Sequence, residues 1–441
     1  MNNKAIVYVD FGGSHISAIA GVVQDNHALK ILGEQSRPSD DVKNGIVKKI
    51  TGAAFKVNET TKLLQNSLKW KDRISVVSLS INAKTMRHHT ISIEKQIPNI
   101  VTDKLLKDME AESLEEVKTS DIMVFNSIPL AYYIDEKRMD SPLGQKGEML
   151  RVDYNLIIGN NQVKEALERT FERTGIAVNY IHLGIEAIAT AVLDKKDKEV
   201  GCALINLGAT TTTLGVYCEG KLQEFFVMPF GGLNITKDIQ ELGISFKNAE
   251  ILKCKIGTAM QEPIDEPLNI RIPKENSDDN DSIVISTSFL ATIIEARLDE
   301  ILSPLIEKID MIPYPLNSGI IITGGASKLK NLSEFIQEKT GFQVRMGSHA
   351  EWLSDDTDPK FYEPEYAQAV GSILMTNDFY ELNKEEKRKT AIGIKIPGKK
   401  LLSALSKSFK NGMESLFKYD DLEQEQYETK EIEEGEEAKE A

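Results

Sequence analysis

Cysteine is scarce, and what little there is does not fit a disulfide framework. The 441-residue chain has three cysteines, Cys202, Cys218 and Cys254, too few to staple a small scaffold, and Cys202 and Cys218, which could face one another across a hairpin, read as small apolar core residues of a reducing compartment. Six histidines show no metal-ligand spacing; the adjacent His88 and His89 would point to opposite faces of a strand. No apolar run approaches the length of a bilayer span, and Met1-Asn-Asn-Lys4 reads as too short for a targeting segment. The expected setting is therefore cytoplasmic. A formal charge of -15 argues against general affinity for nucleic acid. That charge is uneven: residues 419–441 hold eleven acidic residues against two lysines, leaving the rest only mildly acidic.

What the chain does have is apolar material for more than one core, 41% of its residues against 27% charged. The segment from Cys202 to Cys218 reads as a buried strand running into Gly208, a hydroxyl-rich turn at Thr210 to Thr213, and a returning strand. Glycine admits an anion close to the backbone, and amides and threonine hydroxyls donate to phosphate without adding a fixed charge. An ordinary tight hairpin reads the same way when taken alone. A second copy raises the specificity. Aligned on the first, Ile6 to Ala20 places Asp10 on Asn206, Gly12 on Gly208, Gly13 on Ala209 and Ser14 on Thr210, predicting two related halves that face each other. A third apolar strand from Gly319 ends at Gly324 and Gly325, where a planar ring could lie against bare backbone.

Around these hairpins the chain reads as an α/β protein. A helix over 47–68 and a strand over 76–81 belong to the first half. Within 82–161 a polar strand (87–93), a helix capped by Thr102 (102–117) and two further strands (122–134 and 151–158) form an insertion. Helices are predicted at 162–174, 185–193, 235–242, 246–257 and 288–309, with a polar exposed loop at 276–281. The expected division is 1–81 with 162–198 and 364–383 as the first lobe core, and 82–161 as its inserted subdomain. The second lobe takes 199–231 with 286–363, and 232–285 is its insertion. A linker (384–398), an amphipathic helix (399–418) and an acidic tail (419–441) follow. In that helix Leu401, Leu402, Leu405, Phe409, Met413, Leu416 and Phe417 share one face, and Lys399, Lys400, Lys407, Lys410 and Lys418 flank it. Such a helix suits either an anionic membrane interface or a groove on a protein; near an anionic leaflet each lysine adds about 1 kcal/mol.

Strand-Asp-x-Gly, strand-Asn-x-Gly-x-x-Thr and the late Gly-Gly turn together resemble the actin-type ATPase superfamily. Within it, Gly231 to Ile239 with Ala249 to Lys253, Arg37 to Val47, Ser141 to Gly144 and Glu295 to Arg297 are similar to the FtsA family of bacterial cell-division proteins. The resemblance implies an actin-like two-lobed fold around a cleft for ATP and Mg2+. Nucleotide contacts would come from Gly12, Gly13, Ser14, Asn206, Gly208, Thr210, Thr211, Gly231, Gly232, Glu250, Lys253, Gly324 and Gly325. Asp10 and Glu186 are its candidate catalytic groups, with Asp10 and Asn206 reaching magnesium through bound water. By spacing alone, Glu250 and Lys253 form an exposed ion pair. Where the family usually carries acids, this chain has Asn206 and Thr213, so hydrolysis is expected to be slow or absent. The implied partners are the FtsZ C-terminal peptide, further copies in a filament, and the cytoplasmic face of the cell membrane at the division site, where 399–418 would anchor. Two alternatives remain: a pilus-assembly actin-like binding module, and a sugar- or acetate-kinase-like phosphotransferase.

Overall fold

The computed structural model describes residues 5–261, 267–273 and 282–392, with side chains to residue 382. The polar loop at 276–281, the amphipathic segment 399–418 and the acidic tail lie outside the described residues.

The chain begins as a meander of β1 (Ile6–Phe11), β2 (His15–Val23) and β3 (Leu29–Pro38). A small hairpin follows, β4 (Val42–Lys43) and β5 (Ile46–Val47), turning at Asn44 and Gly45 with φ of 53° and 73°. The asparagine-glycine pair suits a tight turn that needs positive φ at both central positions. Helix α1 (Ile50–Ser67) buries Ala53, Ala54, Val57, Thr61 and Leu64 at helical spacing, and β6 (Val76–Ile81) comes next. The insertion holds β7 (Arg87–Gln96), α2 (Asp103–Val117), β8 (Ile122–Ile134), β9 (Lys137–Met139) and β10 (Met149–Asn160). The Thr102 hydroxyl caps α2 by accepting from the Leu105 N–H at 3.2 Å, as its sequence predicts. The first half resumes with α3 (Gln162–Thr174) and β11 (Ala177–Leu183), then α4 (Gly184–Val192) and α5 (Lys195–Val200).

The second half repeats the pattern with β12 (Cys202–Leu207), β13 (Thr212–Cys218) and β14 (Lys221–Met228), then α6 (Gly232–Gln240) and α7 (Phe246–Lys255). After them come β15 (Asn269–Pro273), β16 (Ser282–Ser286), α8 (Thr287–Asp310), β17 (Ile320–Thr323), α9 (Leu332–Thr340), β18 (Val344–Met346) and α10 (Ala367–Ile392). One sheet has the order β11-β6-β1-β2-β3, and the other begins β18-β17-β12-β13-β14. In both, two parallel neighbours lead into an antiparallel meander. The duplication read from two short hairpins therefore extends over five strands in each half.

The insertion does not stand apart from the second sheet. Its strands continue that sheet as β14-β7-β10-β8-β9, with Phe226 paired to Arg87. The fully buried Asn155 amide donates to the carbonyls of Leu222 and Gln223 at 2.9 and 3.0 Å, and Arg138 pairs with Glu219. Beneath this seam α2 sets Leu106 and Met109 against Ile93, Leu150 and Val152.

Between the halves, α4 and α10 cross so closely that a Cβ on Gly371 would overlap the Ala187 carbonyl oxygen and stand 2.5 Å from its carbon. One expectation differs. Helix α10 runs on to Ile392, through the charged stretch where a linker was expected. Glutamate, lysine and arginine are strong helix formers, so a run of them after a docked helix prolongs it.

Candidate functional site

Both hairpins end at the same place. Gly12, Gly13 and Ser14 turn β1 into β2, and Gly208 to Thr211 turn β12 into β13, all partly buried. The Gly208 N–H donates to the Thr211 carbonyl at 2.9 Å, which closes the second tip. The tips meet: a Cβ on Gly13 would overlap the Thr210 hydroxyl and lie 2.7 Å from its methyl carbon. Only a residue without a side chain allows that approach.

Gly231 and Gly232 lie directly behind the second tip. The Gly232 and Leu233 N–H groups donate to the Gly208 and Ala209 carbonyls at 2.9 and 2.8 Å. The first turn of α6 therefore supports the hairpin rather than facing an open space. From β17 the chain enters Gly324 at φ 91°, packed on the Asn206 side chain, with the Leu207 carbonyl oxygen 2.5 Å from where a Cβ would stand. Gly325 is open, with only the Glu365 Cβ, at 3.8 Å, within 4 Å of a Cβ position there. Across from this turn, a Cβ on Gly232 would stand 3.0 Å from the Ala326 Cβ and 3.6 Å from the Lys253 ammonium. These neighbours leave bare backbone at Gly325 beside the tips, a surface that fits a planar ring, while the glycine and hydroxyl tips fit phosphate.

Glu250 and Lys253 sit three apart on α7, but Lys253 is 9% exposed. Its ammonium donates to the Gly232 carbonyl at 3.1 Å, the Thr236 hydroxyl at 2.8 Å and Glu250 Oε2 at 2.8 Å. The Thr236 hydroxyl donates to the same carboxylate oxygen at 2.5 Å. Burial works to raise the Glu250 pKa, yet hydrogen bonds from Lys253 and Thr236 hold the carboxyl below its ordinary range. The exposed ion pair read from spacing is thus a closed network with a buried cation. The sequence marks Thr236, one turn into α6, only as part of the segment Gly231 to Ile239.

Asp10 lies at the end of β1. Its Oδ1 accepts from the Tyr8 hydroxyl at 3.1 Å and the Gln368 amide at 3.2 Å. Burial pushes its pKa up to about 6, the Tyr8 and Gln368 bonds pull it down, and Glu34 adds to the rise. Tyr8 shares a strand face with Asp10 through period-two alternation, a relation the sequence contained. Gln368 comes from α10 and could not be read locally. No hydrogen bond joins Asp10 to Asn206, and among the described residues no group of three or more histidine, cysteine, aspartate or glutamate side chains could hold a metal ion.

Glu186 belongs to a different network. Its Oε2 accepts from the Asn126 amide at 2.9 Å, and neither Asn126 nor Lys198, the charge it faces, belongs to a hairpin tip. Burial raises its pKa to about 7, with Lys198 and Asn126 opposing. An unfolded glutamate ionises near its model value of 4.5. Between these values the folded chain binds more protons than the unfolded one, so stability falls as pH rises through that window. Relative to Glu186→Gln, the parent chain should lose about 1–3 kcal/mol between pH 5 and pH 8, read from urea midpoints.

A family model described as "Cell division protein FtsA" matches residues 203–371. Curated FtsA proteins align along most of the chain. That of Bacillus subtilis is 27% identical over 84% of this chain and 83% of its own length, and that of Escherichia coli K12 is 26% identical over 92% and 99%. The chain is similar to FtsA. Among solved structures, one titled "PilM-PilN type IV pilus biogenesis complex" matches with a TM-score of 0.61 at 16% identity, covering 84% of this chain and 98% of that one. MreB5 of Spiroplasma citri, solved bound to ADP, matches with a TM-score of 0.52 at 13% identity, covering 87% and 98%. These likenesses give the fold, which is actin-like and two-lobed, as the resemblance implies. Among the described residues no helix is long and apolar enough to cross a membrane.

Proposed function

We propose that this chain is an actin-like cell-division protein of the FtsA type. It binds an adenine nucleotide between its lobes, associates with further copies, and tethers the FtsZ C-terminal peptide to the cytoplasmic face of the membrane at the division site. The observation that carries the nucleotide reading is the meeting of the two glycine and hydroxyl tips, Gly13 against Thr210, beside the open backbone of Gly325. In this reading Gly12 to Ser14 and Gly208 to Thr211 take the phosphates and Gly325 the base. Lys253 orders the floor rather than reaching for ligand, because its three donors already have partners.

Hydrolysis is slow or absent in this account. The second hairpin offers an amide and hydroxyls where water activation needs a carboxylate, which also disfavours the phosphotransferase alternative. Alignment with FtsA proteins over most of their length supports the division role, and the apolar, lysine-flanked face of 399–418 supports the anchor.

Flotation tests the tether. Labelled FtsZ C-terminal peptide should rise with anionic vesicles when the full chain is added, and stay at the bottom of the gradient with a chain ended after Lys395. Equal flotation of peptide with both chains removes the anchor, and no flotation with the full chain removes the tether.

A further inference from the structure

The end of the second hairpin carries no ionisable group. From Asn206 to Thr213 the residues are asparagine, leucine, glycine, alanine and four threonines. Sheet register puts this neutral set in line: Asn206 lies beside Thr323 on one strand and opposite Thr213 on the other, and Thr213 lies opposite Val227. The Thr213 hydroxyl is fully buried and has no partner among the described residues, an uncharged group that can still donate or accept. On the facing hairpin the single carboxylate is Asp10, whose Oδ1 already accepts from Tyr8 and Gln368.

Asp10 is the one carboxylate that the two hairpins offer to magnesium. The ion is ordinarily held by one or two carboxylates together with substrate phosphates, and it relieves the repulsion between those like charges. Here one side offers only an amide and hydroxyls. Phosphate can approach Asn206, Thr210 and Thr211 directly, since neutral donors bind an anion without a counter-ion between them, whereas Thr212 and Thr213 are fully buried.

We propose that the cleft binds its nucleotide through neutral donors and needs no divalent cation to do so, with Asn206 as the residue that sets this independence. The proposal rests on the nucleotide reading above and goes beyond it in naming what the cleft does without. An aspartate at 206 would place a second negative charge against the phosphates and make a bridging cation necessary.

Calorimetric titration of the full chain with ATP, in excess magnesium and again in excess EDTA, tests it. The two dissociation constants should agree within about fivefold. Asn206→Asp should weaken binding in EDTA by about tenfold or more and regain most of it with magnesium. A parent chain whose affinity falls beyond about fivefold in EDTA overturns the proposal, as does a variant indistinguishable from the parent in both buffers. Absence of binding in both buffers sinks the nucleotide reading itself, which is a different result. Should Asn206→Asp fail to melt cooperatively, the parent comparison decides by itself.

Discussion

Replacing Gly371 with valine should cost about 3 kcal/mol or more and lower the yield of folded protein sharply, as read by urea denaturation and thermal melting. The new Cβ would overlap the Ala187 carbonyl oxygen and lie 2.5 Å from the carbonyl carbon. Backbone cannot rotate away as a side chain does, so relief would require α4 and α10 to separate. That separation would open a well-filled layer, since Ile185, Ile188, Val370 and Ile373 are all 1% exposed or less. Alanine at the same position meets the same oxygen and should lose nearly as much. A loss under about 1 kcal/mol for both variants would mean that the helices do not cross as described.

Gly13→Val should weaken nucleotide binding roughly a hundredfold while sparing the fold. The obstruction here is the Thr210 side chain, with its methyl carbon 2.7 Å from the added Cβ, and both groups lie on turns at the rim of the lobes. The tips should separate, and phosphate could then reach only one of them. Losing half the donors, at about 1–1.5 kcal/mol for each hydrogen bond, amounts to roughly a hundredfold in affinity. Calorimetry with ATP measures this, and circular dichroism with a melting curve confirms the folded state. Tight binding by the variant would place the phosphates elsewhere. A companion change, Thr210→Ala, removes the two nearest atoms and leaves the Thr210 Cβ at 2.8 Å, so the double variant should recover part of the loss.

Much of this was legible in the residues. Two short hairpins aligned on Asp10 and Asn206 predict facing tips, and Gly13 meets Thr210. Thr102 announces the start of α2, and the periodicity over 162–174 gives α3 with the same bounds. Other features depend on partners far apart in the chain. Nothing near Asp10 points to Gln368, and nothing near Lys253 in the sequence distinguishes a buried ammonium with three acceptors from a solvated one. The seam between the insertion and β14 was invisible for the same reason: Asn155 reads as one polar residue in an apolar strand until Leu222 and Gln223 arrive to receive its amide.

That seam also bears on how the molecule is made. Strands β7, β8 and β10 leave the ribosome before β14, the strand against which they close, has been synthesised. The first lobe waits longer still, because α10, which covers α4 and contacts β1 and β6, is the last described element to be translated. The first half cannot reach its final form on a nascent chain that stops short of α10. Its apolar strand faces must therefore stay uncovered through most of synthesis, a schedule that favours chaperone capture over early folding of that lobe.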